Sequence, residues 1–199
     1  MDIEHDHRRR RFLQAVSGIG AIGLAGCLGP ELSYDDTPPA DDSDGNGTTD
    51  LEATTIREIV EFARETNELL SQGEETLTNW EEDPDSVPNE DIHELSVMAT
   101  EQLNTYDETV FPNRDELAGI ERGDEVDGER WEFDGSALVE ALGAQESLVF
   151  TIENAAIAIM DADGNPEGVS SHGWSEIETV QSETEAVQSA INDALGDHA

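Results

Sequence analysis

The chain has no lysine, a single cysteine and only nine arginines, against 48 aspartates and glutamates, for a formal net charge of −39. Electrostatic binding of nucleic acid needs clustered Lys and Arg that release counterions from phosphate, so this balance excludes nucleic acid as a partner. With Cys27 alone no disulfide can close within the chain, and structural zinc or iron–sulfur centres built on several thiolates are ruled out. Long apolar runs are missing too. The uncharged stretch ahead of Cys27, Phe12 to Gly26, has fifteen residues where a bilayer core needs about 20, and it is diluted by Gly18, Gly20, Gly23 and Gly26. At 199 residues there is room for one folded core of about 150 residues plus extensions, not for a large multidomain enzyme.

What is present at the start is an address. Arg8 to Arg11 form a basic cluster, the uncharged stretch follows, and Cys27 closes it, the layout of a signal peptide. Arg9 and Arg10, then any residue, then Phe12 and Leu13 resemble the twin-arginine export signal. Leu24, Ala25, Gly26 and Cys27 resemble a lipobox, in which the thiol receives a lipid and the chain is cut before it. Together with the acidity, this segment resembles the twin-arginine lipoproteins of salt-loving archaea. That resemblance covers the first 27 residues and implies a signal peptide over 1–26, passage through the twin-arginine translocase after folding, and a lipid on Cys27. It also implies residence on the extracellular face of the cell membrane and a carboxylate-rich surface suited to molar salt. It says nothing about activity.

From Cys27 to Asp50 the chain reads as a tether. Leu28 to Asp50 carries seven acids, three prolines and no basic residue, too little apolar surface to offset chain entropy. Asn46, Gly47 and Thr48 make the one Asn-x-Ser/Thr glycosylation acceptor in the chain.

From 51 to 199 apolar residues fall at helical spacing. Ile56, Ala63, Leu70 and Leu77 repeat every seven residues, predicting a helix over 52–81 with Gly73 as its weak point, since glycine costs about 1 kcal/mol relative to alanine. Ile92, Leu95, Ala99, Leu103, Tyr106 and Val110 predict a second helix capped by Asn89 and ended by Phe111 and Pro112. A third is predicted over 136–160 through Leu138, Leu142, Leu148, Val149, Ile152, Ala156 and Ile159. A fourth is predicted over 171–195 through Trp174, Ile177, Val180, Val187, Ile191 and Leu195, with Ser171 or Ser175 as its cap. Four amphipathic helices of similar length predict an all-α fold, an antiparallel four-helix bundle with a long irregular connection between the second and third helices. That connection, Asn113 to Gly135, is expected to hold a short helical turn near Asp115 to Ile120 and an extended piece around Trp131 to Phe133.

No residue pattern nominates a catalytic centre or a cofactor. There is no Gly-x-Ser-x-Gly elbow, and His93 and His172 have no identifiable serine partner. Glu90 and His93 have the three-residue spacing used in di-iron bundles, but no second such pair follows. Met98 or Met160 with His172 would be the available axial set for a haem, and methionines at this spacing read as core. Asp161 to Gly168 tempt a calcium reading, yet loop positions six and twelve, which want Gly and Glu, hold Pro166 and His172. The stretch Glu146 to Gly164 looks like the opening of a PAS-type sensor, but too little chain follows, and the plainer reading is a helix ending in an Asp-Gly turn.

The expectation is a non-enzymatic binding or envelope module that meets an unknown protein partner, with Arg122, Arg130 and an exposed Trp131 and Phe133 as its contact residues, because Trp and Arg are enriched at binding hot spots; the plainer reading of that segment is a loop whose Trp131 caps the bundle core. The alternative is a metal or redox bundle using Glu90, His93 and inward acids.

Overall fold

The computed structural model describes residues 51–196. The export residues Arg9, Arg10, Phe12 and Leu13, the lipid acceptor Cys27 and the glycosylation acceptor Asn46 lie outside the described residues. Four long helices carry the fold: α1 over Ala53–Glu82, α2 over Asn89–Thr105, α4 over Gly135–Asp161 and α5 over Ser171–Leu195. The connection before α4 holds the short α3, Arg114–Leu117, and a two-stranded antiparallel hairpin of β1, Glu125–Val126, and β2, Glu129–Arg130. The fold is all-α apart from that hairpin.

Several of the helix ends have a local cause. α1 ends before Pro84, which has no N–H to continue the ladder, and the Asp83 N–H closes it on Asn79 O at 3.0 Å. α4 is capped by Asp134, whose Oδ1 accepts from the Ala137 N–H at 3.0 Å, and α5 by Ser170, whose Oγ accepts from the Gly173 N–H at 3.1 Å. Two caps therefore differ from expectation. Asn89 is the first residue inside α2 with Pro88 in the cap position, where a fixed φ suits helix entry, and the α5 cap is Ser170 rather than Ser171 or Ser175. α2 widens at its end into a π turn over Tyr106–Val110, then tightens into a single 3-10 turn over Phe111–Asn113.

Gly73 does not break α1. A Cβ placed there would lie 2.6 Å from Ile152 Cδ1, so α1 and α4 approach closely at this glycine. Its helical penalty is offset by this approach.

Side-chain links give the helix directions. Gln181 reaches Glu81 and Gln188 reaches Ser71, so α5 runs antiparallel to α1. Thr100 meets Glu153 while Asn89 lies against Gly164, so α2 runs antiparallel to α4. α4 and α5 share the largest interface, followed by α2 with α4, and α1 packs on α5, α4 and α2. The buried apolar residues fall into two clusters. One gathers Ile56, Tyr106, Leu117, Phe133, Leu142 and Ile191 near the start of α1, and the other Leu70, Trp80, Leu95, Ile152, Ile177 and Val180 toward its end.

Candidate functional site

The expected contact surface in the 113–135 connection is not assembled as predicted. Arg122 and Arg130 are exposed, but Trp131 keeps 7% of its surface and Phe133 none. The two rings pack at 5.6 Å between centroids and join the first apolar cluster. Their burial follows from strand-like alternation: Trp131 and Phe133 point inward while Glu132 between them faces water and takes an ion pair from Arg130 at 3.0 Å. Trp131 and Phe133 therefore form no exposed aromatic hot spot.

The connection instead braces one end of the fold. Asp127 and Gly128, at φ values of 53° and 81°, form the two-residue turn of the hairpin, a type I′ geometry that matches strand twist. The turn delivers the Asp127 carboxylate to the start of α1, where Oδ2 accepts from the Ala53 N–H at 2.9 Å. Glu129 forms a salt bridge with Arg57 on the next turn, and that hydrogen bond holds its carboxyl below the usual carboxylate range. On the other side of the brace, the Gly135 N–H donates to Ile120 O at 2.9 Å and ties α4 to the turn after α3. Asp127 was not singled out from the sequence, although Asp-Gly between Val126 and Glu129 is a hairpin signal.

The other sequence candidates scatter. Glu90 and His93 are both exposed at the start of α2, and among the described residues no three His, Cys, Asp or Glu side chains come together as metal ligands. Met98 and Met160 are half-buried against the second apolar cluster, while His172 is exposed and pairs with Glu176 at 3.1 Å. Burial pushes the Glu176 carboxyl up, opposed by the His172 charge and a hydrogen bond from Thr151. The Asp161 to Gly168 stretch is a helix end, with Asp163 and Gly164 at positive φ and Asn165 Oδ1 accepting from the Glu167 N–H at 3.1 Å. Tyr106, in the π turn, has its phenol pushed up, first by burial and then by the charge of Glu146. No helix among the described residues is long and apolar enough to cross a membrane.

No protein-family model, curated protein or solved structure matches the chain.

Sequence reading also passed over a polar belt between the two apolar clusters. Gln145, with no exposed surface, donates from Nε2 to Ala63 O at 2.9 Å and to Asn67 Oδ1 at 2.7 Å, while its own Oε1 is buried without a donor. Gln188 on α5 donates to Asn67 O at 2.9 Å and to Ser71 Oγ at 2.6 Å. Thr66 and Thr184 are buried as well and return their hydroxyls to their own helices, at Phe62 O and Val180 O. The belt fastens α4 and α5 to α1 in one register.

Replacing Gln145 tests this. Glu at 145 would be acceptor-only when ionised and would face two acceptors in a buried site, so Gln145→Glu is expected to cost about 3 kcal/mol at neutral pH. Its folded pKa would be raised above the unfolded value. The deficit should therefore grow as pH rises from the unfolded pKa, about 4.3, toward the folded pKa, and shrink below that window. Gln145→Leu removes the orphaned Oε1 together with the donor and should stay within about 1 kcal/mol of the parent. Denaturant unfolding across pH reads both, and a Glu deficit independent of pH would contradict the buried-acceptor account.

Proposed function

We propose that the chain is an extracytoplasmic lipoprotein of a high-salt environment, exported folded by the twin-arginine route and held on the outer face of the cell membrane by a lipid on Cys27. Its folded part, an antiparallel four-helix bundle, serves as a non-enzymatic binding or envelope module. One observation carries this reading: the only cysteine follows Leu24-Ala25-Gly26 directly, downstream of Arg9-Arg10-x-Phe12-Leu13. The bundle is supported by the opposed directions of α1 against α5 and of α2 against α4, and by the short connections from α1 to α2 and from α4 to α5, which favour antiparallel neighbours. A binding role fits a fold whose acids are spread over its surface rather than gathered around a nucleophile or base. In this reading Arg122 and Arg130 stay available at the surface for a protein partner, without the aromatic pair.

Fractionation of cells expressing two variants tests it. Cys27→Ser should leave the membrane fraction and appear in the medium or as uncleaved precursor. Arg9→Lys with Arg10→Lys should hold a folded precursor in the cytoplasm. If Cys27→Ser still partitions fully with membranes at the mature mass, the anchor is elsewhere. If the double lysine variant is secreted normally, the general secretory route is in use.

A further inference from the structure

Ala53 begins a 30-residue helix, and the N–H groups of such a first turn have no partner within the helix. Glu52, in the cap position, makes no side-chain cap bond; the carboxylate that accepts from the Ala53 N–H belongs to Asp127, 74 residues away in sequence. An anion is favoured there by the positive end of the helix dipole. Asp127 holds a left-handed φ of 53°, uncommon for a residue with a Cβ, and the turn that imposes this aims the carboxylate.

The segment behind that carboxylate is hydrogen-bonded mainly to itself. The Gly123 N–H donates to Trp131 O at 2.6 Å, the Trp131 N–H to Asp124 O at 2.8 Å and the Glu121 N–H to Asp124 Oδ2 at 2.8 Å, around the ladder of Glu125 with Arg130 and Val126 with Glu129. Strands of two residues are not stable alone, so the segment depends on its docking. Asp127 and Glu129 dock it to α1, and Val126 and Leu51 are buried in the same apolar cluster. Because its ladder is internal, it can leave α1 without breaking a sheet.

We propose that residues Gly123 to Trp131 form a strap across the start of α1 that opens and closes as one unit. Opening releases the first turns of α1 and uncovers Leu51, Val126 and Trp131, which leaves its packing on Phe133, while the second apolar cluster stays packed. Leu51 is buried in the cluster that this strap covers, so a load or a partner acting at Leu51 meets the strap before it meets the rest of the core. This holds whether or not Cys27 carries a lipid.

Amide hydrogen exchange on the full-length chain in molar salt tests it, because segments that open together exchange through one opening equilibrium. The amides of Ile56, Gly123 and Trp131 should share a protection factor lower than those of Leu70 and Ile152. Asp127→Gly keeps the left-handed turn and removes the carboxylate. It should speed the first three by a common factor of about five to ten, the usual worth of a cap, and leave the last two unchanged. Asp127→Asn restores an acceptor that tolerates the same φ and should bring the rates back to within about twofold of the parent. Glu129→Gln should move the same three amides in the same direction by less. Unchanged rates in Asp127→Gly, acceleration of Ile56 without Trp131, or equal acceleration of Leu70 and Ile152 would each overturn the strap.

Discussion

Gly135→Ala should lower stability by about 3 kcal/mol, the largest loss expected for adding a single methyl group to this fold. A Cβ at position 135 would lie 1.8 Å from Leu117 O, 2.9 Å from the Leu117 carbonyl carbon and 3.0 Å from Ile120 O. These are backbone atoms flanked by the buried Leu117 and Ile120, so no side chain can rotate away. The start of α4 would have to lift off the turn after α3. The hydrogen bond from the Gly135 N–H to Ile120 O would stretch, and Phe133 and Leu138 on either side would lose packing. Helix propensity works in the opposite direction by about 1 kcal/mol, which is too small to compensate. Gly143, in the interior of the same helix with nothing within 4 Å of its added Cβ, is the control: Gly143→Ala should gain up to about 1 kcal/mol. For a domain of this size the two variants should separate by roughly 10 °C in melting temperature. Equal melting temperatures would show that α4 does not rest on the Leu117 carbonyl.

The long helices were legible because their buried faces repeat at helical spacing. α1, α4 and α5 fall within one residue of the ranges read from Ile56, Leu138 and Ile177 and their repeats. The end of α2 was less so, since a π turn keeps Tyr106 and Val110 buried and leaves the apolar spacing almost unaltered. Gly73 and Gly135 could be recognised as glycines but not as points of close approach, because Ile152 and Leu117 come near them only in three dimensions. In the connection, the short helical turn expected near Asp115 to Ile120 is present as α3, while the exposure expected of Trp131 and Phe133 is not found, for a different reason. Its signals were present, Asp127-Gly128 for a turn and the alternation of Trp131, Glu132 and Phe133 for one buried edge, but high charge and glycine content around them argued for an exposed loop. Local composition prevailed over period there. Gln145 was hidden in the same way, a polar residue on an otherwise apolar stripe whose acceptors, Ala63 O and Asn67 Oδ1, lie on another helix.

Removing salt should unfold this domain, and returning it should refold it. From Leu51 to Ala199 the sequence carries 38 Asp and Glu against five Arg, a net charge of −33. A compact domain of this length exposes about 7,400 Å², which places net charges about 15 Å apart. At that spacing a pair in water repels by about 0.3 kcal/mol unscreened, and by roughly 0.06 kcal/mol at 0.1 M salt, where the Debye length is about 10 Å. Over about 100 neighbouring pairs the repulsion reaches about 6 kcal/mol, less what the unfolded chain also bears, against a typical total stability of about 5 to 15 kcal/mol. Above about 1 M salt the Debye length falls below 3 Å and the repulsion nearly vanishes. The arginines also give the loss a direction. Between Arg64 and Arg114, and again after Arg130, there is no arginine, so the end of the fold around Trp80, Leu95 and Ile177 sets only His93 and His172 against its acids while the braced end holds the pairs of Arg57 with Glu129 and Arg130 with Glu132. As salt is dialysed away, hydrogen exchange should therefore rise first in the amides around Trp80 and Ile177 and last around Phe133 and Leu142. Circular dichroism should follow with loss of the helical signal, reversed by restoring molar KCl. A melting temperature equal at about 0.1 M and about 3 M salt would show that the acidic surface is not an adaptation to salt, and the high-salt setting would fall with it.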